Sequence, residues 1–356
     1  MRLGNRKEIS AGTDAMGGSP CALADPATGA GAMAMTEKND DEHAGAPRLT
    51  FKTRLHAWWE GYDLSGLKGT KAEEEAAKPA APAPVPQAAA PARGPGVNRW
   101  GKPLWTATRI EVAEKLWGEG FNTPGGHDHI PYLVKPLGLN PAMSVLDLSA
   151  GLGGTSRTMA NKYGCWVTGL EASEPLAKEA MVRSFKVGLE KKAVIETYDP
   201  ENFTYPKRVD AIVYKEGMFS VLNKDQLFDG MEMALKPRGH LLMTDYVVDP
   251  VVAGAKAIQV WCNKEPMQPH LWSKEQMAAA FAQRNLDLRI AEDITDTHRG
   301  LILSAIQGLV EHLERHHLNH DTKIAVMDEV EMWVRRIAAI DAGMKVFRFY
   351  ALKPAE

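Results

Sequence analysis

Short apolar runs alternate with longer amphipathic segments through the middle of the chain. Five runs have the length and the β-branched content of strands: SVLDLS (144–149), CWVTGLEA (165–172), AVIETYD (193–199), VDAIVYKE (209–216) and HLLMTDYV (240–247). Helical patterns separate several of them, at 155–163, at 173–189 after a capping Ser173, and at 223–235. This alternation predicts an α/β fold with a doubly wound, mostly parallel sheet that binds ligands at the carboxyl ends of its strands.

The first hundred residues lack this alternation. Residues 1–48 contain almost no large apolar side chains, which predicts a disordered N-terminal tail, and 69–97 form a charged and Pro/Ala-rich linker. Between them, residues 49–68 gather aromatic and basic residues, including Trp58 and Trp59. This segment is predicted either to dock on a partner or membrane surface or to fold back on its own domain, which spans 98–356.

Charge and cysteine content limit the classes of partner and compartment. The chain has 42 basic and 45 acidic residues, so it lacks the basic excess that nucleic-acid binding requires. Three scattered cysteines build no disulfide framework, which favours a reducing compartment. No run is long and apolar enough for a signal peptide or a membrane span. We therefore expect a cytoplasmic protein without a nucleic-acid partner; peripheral membrane attachment through 49–68 stays open.

The regular alternation ends after Pro250. Helical patterns at about 250–285 and 297–342 flank a strand pattern near 286–293, and we interpret the helical parts as a lid over the strand ends. The final MKVFRFYALKP (344–354) alternates with period two and predicts an edge strand, antiparallel if it returns as a hairpin.

A small-residue loop, SAGLGG (149–154), follows the first strand. Its spacing differs from the GxGxxG of dehydrogenases, and glycines alone would also suit a simple tight turn. However, acids stand at three successive strand ends: Asp147, Glu171 and Asp199. Glu171 is placed to accept hydrogen bonds from ribose hydroxyls, and Asp199 to face an adenine edge. The set predicts a nucleotide-like ligand.

The loop resembles the first motif of class I S-adenosylmethionine-dependent methyltransferases, D-x-G-x-G-x-G. Asp147, Ser149, Gly151 and Gly153 fall on this motif, with Ser149 in place of the first glycine, a change that a negative φ tolerates. The resemblance implies a seven-stranded Rossmann-like sheet and S-adenosylmethionine as cofactor. The residues that it implies for the cofactor are Thr123, Asp147, Ser149, Ala150, Gly151, Gly153, Glu171, Ala172, Asp199, Pro200 and Lys215.

From about Trp105 to the C-terminus the chain resembles one branch, the phosphoethanolamine and small-amine N-methyltransferases. The segment LWGEGFNTPGG (116–126) matches the branch, which implies that 121–126 close over the cofactor. The branch implies N-methylation of a small or lipid-borne amine. Its catalytic tyrosine and histidine fall on Trp105 and Ser220, neither of which is a useful base near neutral pH.

Other positions of the branch are kept or have substitutes nearby. Glu216 stands at the carboxylate position beside the acceptor, and Tyr246 and Arg336 align with residues that grip the substrate phosphate. His127 and His129, next to the covering segment, are candidates for the missing base. The alternatives are structural: a salt-bridged acid, a core tyrosine, an exposed arginine and loop histidines. The predicted acceptor residues are Trp105, Ser220, Tyr246 and Arg336.

Three further alternatives concern function and metal. The lost base pair leaves O- or C-methylation open, as well as a scaffold that binds S-adenosylmethionine without turnover. His312, His316, His317 and His320 include i, i+4 pairs that could bind zinc, but no acid or cysteine completes such a site. We interpret them as a solvated helix face and predict no metal.

Overall fold

The computed structural model of this protein describes residues 96–315 and 318–355. The predicted tail, the docking segment 49–68 and nearly all of the linker lie outside the described residues, and so do His316 and His317. The predictions about these parts of the chain therefore stay predictions.

Seven strands of the described chain form one sheet in the order β3-β2-β1-β4-β5-β7-β6. They are β1 Ser144–Asp147, β2 Trp166–Glu171, β3 Ala193–Thr197, β4 Val209–Lys215, β5 Leu235–Val247, β6 Asp287–Asp293 and β7 Lys345–Leu352. The helices of the same residues are α1 Ala107–Trp117, α2 Gly126–Leu133, α3 Gly154–Tyr163, α4 Glu174–Lys186, α5 Lys224–Ala234, α6 Lys256–Lys264, α7 Lys274–Gln283, α8 Thr295–Arg315 and α9 His320–Asp341.

The first five strands are parallel, and the strand order reverses around β1. Asp147 at the end of β1 is in register with Gly169 of β2 on one side and with Val213 of β4 on the other. In a doubly wound sheet, the crevice beyond this reversal is where ligands bind. The predicted α/β fold class is confirmed.

The predicted edge position of the last strand is wrong. β7 lies between β5 and β6 and is antiparallel to both, so β6 forms the edge. Six consecutive residues of β7, from Val346 to Ala351, are buried, whereas β6 alternates between exposed and half-buried positions. A strand that is buried on both faces is typical of the interior of a sheet whose faces are covered, and the period-two pattern could not show this burial.

Part of the predicted lid covers the sheet instead. Helix α7 begins with a capping box between Ser273 and Gln276 and buries Met277 and Phe281 in the main core, where Phe281 packs against Phe349 of β7. Helices α8 and α9 pack against α1, with Trp117 and Trp333 in edge contact at 4.6 Å between ring centroids. The lid therefore stays a prediction for α6, α8 and α9.

Glycine at position 154 is required by close packing rather than by its backbone angles. A Cβ atom there would lie 2.4 Å from the Gly120 carbonyl oxygen and 2.7 Å from the Phe121 ring. We expect Gly154→Ala to lower the free energy of unfolding by about 1–3 kcal/mol, because the backbone of Gly120 cannot move aside cheaply. Urea denaturation followed by circular dichroism measures this change.

Gly300→Ala is the matched control. Gly300 is exposed on α8, and a Cβ atom at this position would have no neighbour within 4 Å, so alanine should stabilise the protein by up to about 1 kcal/mol. Equal unfolding midpoints for the two variants would contradict the packing argument.

Candidate active site

The glycine loop connects the end of β1 to the start of α3. Gly151 and Gly153 have φ values of 55° and 78°, a left-handed conformation that other residues adopt only with strain. Ser149 has no positive φ, so serine is tolerated there as the sequence requires. Its hydroxyl donates to the Lys215 carbonyl oxygen at 2.7 Å and accepts from the Lys215 N–H at 2.8 Å. These two hydrogen bonds fix the loop to the end of β4.

The segment before α2 lies directly on this loop. The Asn122 side-chain oxygen accepts from the Leu152 N–H at 3.3 Å and occupies the space into which a Gly151 side chain would point. Phe121 is buried against Gly154. The structure thus places 121–126 over the glycine loop, where the sequence analysis expects a cofactor.

Two carboxylates at the ends of β1 and β2 lie next to the glycine loop. Asp147 is fully buried, accepts from the Ser156 hydroxyl at 2.7 Å and leaves Oδ1 without a partner, and its burial raises its pKa to about 6. Burial likewise raises the pKa of Glu171 to about 7, although its oxygens accept from the Ser173 and Gly151 N–H groups, both at 2.8 Å. The Ser173 hydroxyl itself has no partner, so the predicted side-chain cap of α4 is not formed.

The third strand-end acid has a structural task. Asp199 is exposed and accepts from the Glu201 N–H at 3.0 Å and from the Asn202 side-chain amide at 2.6 Å. It thereby caps the short turn 200–202. Its neighbour Pro200 is half-buried, as is Ala172 beside Glu171. Because the turn already donates hydrogen bonds to the carboxylate of Asp199, this carboxylate does not need a ligand to satisfy it.

A small cavity lies beyond the carboxyl ends of β4 and β5. Its polar wall contains predicted and unpredicted residues: His129, Lys215, Glu216, Thr244, Thr297 and His298. Its apolar wall consists of Pro124, Leu133, Ile294 and Leu301. The Lys215 ammonium donates to the Thr123 hydroxyl at 2.5 Å, which links the cavity to the segment over the glycine loop.

Glu216 has a strained backbone and an unsatisfied side chain. Its φ of 56° is unusual for a residue other than glycine, and strain of this kind concentrates at functional sites. Its carboxylate is buried, with Oε1 3.5 Å from the Lys215 ammonium and Oε2 without a hydrogen-bond partner. Burial opposes ionisation, but the positive charges of Lys215 and Arg336 outweigh it and lower the pKa of Glu216. The cavity therefore contains an ionised carboxylate with a free oxygen.

His298 is the residue that the sequence analysis missed. Its Nε2 lies 3.0 Å from the Tyr246 hydroxyl, and its Nδ1 lies 3.8 Å from Glu216 Oε1. Burial lowers the pKa of His298 to about 4, so the ring is neutral at neutral pH and its contact with Glu216 is no ion pair. A histidine in the first turn of α8, directly after a strand, was the available signal, but it lay outside the resemblance's catalytic positions.

Tyr246 and Arg336 are buried and already have partners. The Tyr246 ring packs against Phe219, with centroids 5.5 Å apart, and its hydroxyl bonds His298. Arg336 forms a buried ion pair with Glu265, and its guanidinium lies 4.3 Å from the Trp333 ring centroid. Neither lines the cavity, so their predicted grip on a phosphate would require these partners to be exchanged.

The remaining predicted acceptor residues also lie off the cavity wall. The Ser220 hydroxyl donates to the Gly217 carbonyl oxygen at 3.1 Å. Trp105 packs beside Leu152 near the glycine loop, with the Arg109 guanidinium 4.2 Å from its ring centroid.

Of the two predicted histidine bases, only His129 lines the cavity, and burial lowers its pKa. His127 is exposed and lies outside the cavity. Its Nδ1 is 2.8 Å from the Thr158 hydroxyl, and this bond attaches α2 to α3. A shift of two residues along the first turn of a helix turns side chains to different faces, which separates the pair.

The described residues contain neither a candidate metal site nor a candidate membrane-spanning helix. No group of three or more metal-ligating side chains occurs in 96–315 and 318–355. Within the same ranges, no helix has the length and apolarity needed to cross a membrane.

Residues 127–299 match the family model of mycolic acid cyclopropane synthetase. This part of the chain is a class I S-adenosylmethionine-dependent methyltransferase domain. The match covers the glycine loop, the strand-end acids, Glu216 and His298, and the methyltransferase resemblance of the sequence is confirmed.

Among curated proteins, the chain is 27% identical over 260 residues to phosphoethanolamine N-methyltransferase 1 of Zea mays, covering 67% of this chain and 47% of that protein. Among solved structures, it resembles phosphoethanolamine N-methyltransferase 2 of Haemonchus contortus with a TM-score of 0.62 and 22% identity, over 71% of this chain and 62% of that one. The chain thus spans about half the length of its Zea mays relative.

The fold also occurs in a protein named for another reaction. The cyclase SpnF matches with a TM-score of 0.56 and 17% identity, over 70% of this chain and 93% of that one. The shared fold therefore does not by itself fix the reaction, which depends on the residues of the site.

The position of Glu171 predicts how this protein binds a cationic ligand. Glu171→Gln should weaken S-adenosylmethionine binding about tenfold or more, because a charged acceptor for ribose hydroxyls becomes neutral. With the pKa of Glu171 at about 7 and that of Asp147 at about 6, wild-type affinity should rise with pH between these values, as both carboxyls ionise. Isothermal titration calorimetry across this range measures both effects.

Glu196→Gln provides the control for this experiment. Glu196 is an exposed acid on the neighbouring strand β3, and its substitution should leave affinity unchanged. A Glu171→Gln variant that kept the wild-type affinity and pH dependence would contradict the assignment of Glu171.

Proposed function

We propose that this protein transfers the methyl group of S-adenosylmethionine to a small-molecule or lipid-borne amine. The observation that carries the proposal is Glu216: an ionised, buried carboxylate with one free oxygen, held in a strained conformation at the wall of a cavity beside the glycine loop. A buried charge with an unsatisfied oxygen is costly unless a ligand compensates it, and an ammonium group is the complementary ligand.

The residues around the glycine loop suit S-adenosylmethionine. Gly151 and Gly153 give the loop its left-handed turns, Asp147 has an unpartnered buried oxygen, and Glu171 stands at the next strand end. These residues would hold the cofactor, with Thr123 and Lys215 on the side of the cavity. When bound, the cofactor would supply an electrophilic methyl group: the carbon–sulfur bond breaks, its electron pair stays on sulfur, and the amine nitrogen forms the new bond to carbon.

The protein's own contribution is alignment, exclusion of water and removal of a proton. The apolar wall and the segment 121–126 exclude water from the cavity, and Glu216 orients the ammonium. An ammonium nitrogen has no lone pair, so it must lose a proton before it attacks the methyl group.

The acceptor class rests on relatives named phosphoethanolamine N-methyltransferase and on the carboxylate of Glu216. The two positions that the branch uses for phosphate, Tyr246 and Arg336, bond His298 and Glu265 in this protein. We therefore propose an amine whose recognition does not depend on a phosphate bound by these residues. Methyl-transfer assays with phosphoethanolamine, ethanolamine and vesicles of phosphatidylethanolamine distinguish a phosphorylated, a free and a lipid-borne amine acceptor.

Carbon methylation is the second candidate. The matching family model carries the name of a cyclopropane synthetase, and four of the ten cavity-lining residues are apolar. Methyl transfer to vesicles of an unsaturated phospholipid, with none to the amines, would favour this candidate.

We further propose a cytoplasmic location, supported by the free thiols of Cys165 and Cys262. Attachment of residues 49–68 to a membrane surface is proposed on their aromatic and basic composition alone. Flotation of the full chain and of a chain beginning at Asn98 with anionic vesicles tests the attachment.

Glu216→Gln tests the proposed chemistry. Removing the charge should lower kcat with the best amine about 100-fold or more, because the ammonium loses its counter-charge and its orientation. The Kd for S-adenosylmethionine should change little, since the carboxylate faces the acceptor cavity. Methyl transfer is measured with the methyl-labelled donor and binding by calorimetry.

Glu111→Gln is the matched control, because Glu111 is exposed on α1 and pairs with Lys115 on the surface. An unchanged kcat for Glu216→Gln would remove Glu216 from the proposed mechanism. A wild-type protein that binds the cofactor but methylates neither amines nor unsaturated lipids would instead favour a scaffold without turnover.

A further inference from the structure

His298 of the cavity wall is hydrogen-bonded to the buried Tyr246, and the sequence resemblance uses neither position for catalysis. Tyr246 lies near the end of β5, and His298 lies in the first turn of α8. Their hydroxyl and Nε2 atoms are 3.0 Å apart, and both side chains are at most 4% exposed. The resemblance places a catalytic tyrosine and histidine at Trp105 and Ser220, where neither residue type is present.

The geometry leaves one histidine nitrogen available to the acceptor. With Nε2 engaged by Tyr246, the Nδ1 atom faces Glu216, 3.8 Å from Oε1. This separation is too long for a direct hydrogen bond. A nitrogen bound in the cavity about 2.8 Å from each atom would bridge them, as in ordinary charge-assisted hydrogen bonds. The unpartnered Oε2 of Glu216 offers the same ligand a further acceptor.

We propose that His298, held by Tyr246, is the base that removes the proton from the acceptor amine. This inference rests on the proposed function, since it requires an ammonium in the cavity. It also assigns different tasks to the two neighbouring side chains: Glu216 orients the ammonium by its charge, and His298 accepts the proton.

The proton transfer balances within the residues present. In the tautomer that this role requires, Nε2–H donates to the Tyr246 hydroxyl and Nδ1 carries the lone pair. One N–H bond of the ammonium breaks, its proton moves to Nδ1, and the electron pair stays on the amine nitrogen, which then attacks the methyl carbon. The imidazolium is stabilised by Glu216 and loses its proton to water when the product leaves.

His298 suits this role better than the other histidine of the cavity. Both are neutral near pH 7, because burial lowers the pKa of each. Only His298, however, is fixed by a hydrogen bond to a buried partner and lies close to the Glu216 carboxylate. The ring of His129 instead contacts the exposed Tyr132, with centroids 5.6 Å apart.

His298→Gln is the main variant, because its side-chain amide can still bond Tyr246 but cannot accept a proton. We expect kcat for the amine substrate to fall about 100-fold or more, while the Kd for S-adenosylmethionine stays within about twofold of the wild-type value. Tyr246→Phe should lower kcat less, by about tenfold, since the base remains but is no longer held in place. Added imidazole should restore part of the turnover of His298→Ala.

The chain provides a matched control pair on the same strand. His240, in the middle of β5, lies with its Nδ1 2.8 Å from the Tyr350 hydroxyl, and neither residue lines the cavity. His240→Gln and Tyr350→Phe make the same two substitutions in this second pair, and neither should change kcat. These variants separate the effect of altering any tyrosine–histidine pair from the effect of altering the pair at the cavity.

The outcomes distinguish the inference from the proposed function. A wild-type protein that binds the cofactor but methylates no amine overturns the proposed function, and the role of His298 with it. Amine methylation that survives in His298→Gln within about threefold, or a larger loss in His129→Gln than in His298→Gln, overturns the role of His298 alone. Loss of cofactor binding in a folded His298→Gln protein would also overturn it, by showing a structural role. Should His298→Gln not fold, His298→Asn and Tyr246→Phe take its place. The role of His298 then requires kcat to fall about 100-fold or more in His298→Asn and about tenfold in Tyr246→Phe.

Discussion

The pair of hydrogen bonds between Ser149 and the backbone of Lys215 holds the two halves of the site together. Ser149 begins the glycine loop after β1, and Lys215 ends β4, so one hydroxyl connects the predicted cofactor loop to the strand that carries Glu216. β1 and β4 are neighbours only because the strand order reverses there. A glycine at position 149 could not make these bonds. The departure from the methyltransferase motif therefore has a structural use in this protein.

Beyond this connection, the site is a group of ionisable side chains removed from water. Lys215, Glu216 and His298 are each at most 8% exposed, and each is within 4 Å of another member. Burying charges is costly unless they are paired, and Lys215 and Glu216 pair while His298 stays neutral. The αL backbone of Glu216 adds strain to this arrangement. Such a cost is typical of residues that a protein retains for a ligand rather than for stability.

Much of the site could be read from the sequence because its parts are local. The strand-end acid Asp147, the glycine loop and the covering segment are defined by residues a few positions apart, and the structure assembles them as expected. Two residues predicted for the site, Asp199 and His127, instead form hydrogen bonds that a linear sequence pattern cannot show. Asp199 bonds its own turn, and His127 bonds α3 instead of facing the cavity.

By itself, the sequence determined the alternating α/β architecture, the methyltransferase class and the position of Glu216 at a strand end, because periodicity and short motifs are properties of adjacent residues. Only the tertiary structure decided the interior position of β7, the burial of α7 under the sheet, and the meeting of Tyr246 with His298 across 52 residues of chain. These features arise where strands and helices distant in sequence pack together. The contacts of a side chain there depend on which elements become neighbours, and burial of apolar surface over the whole domain fixes that choice.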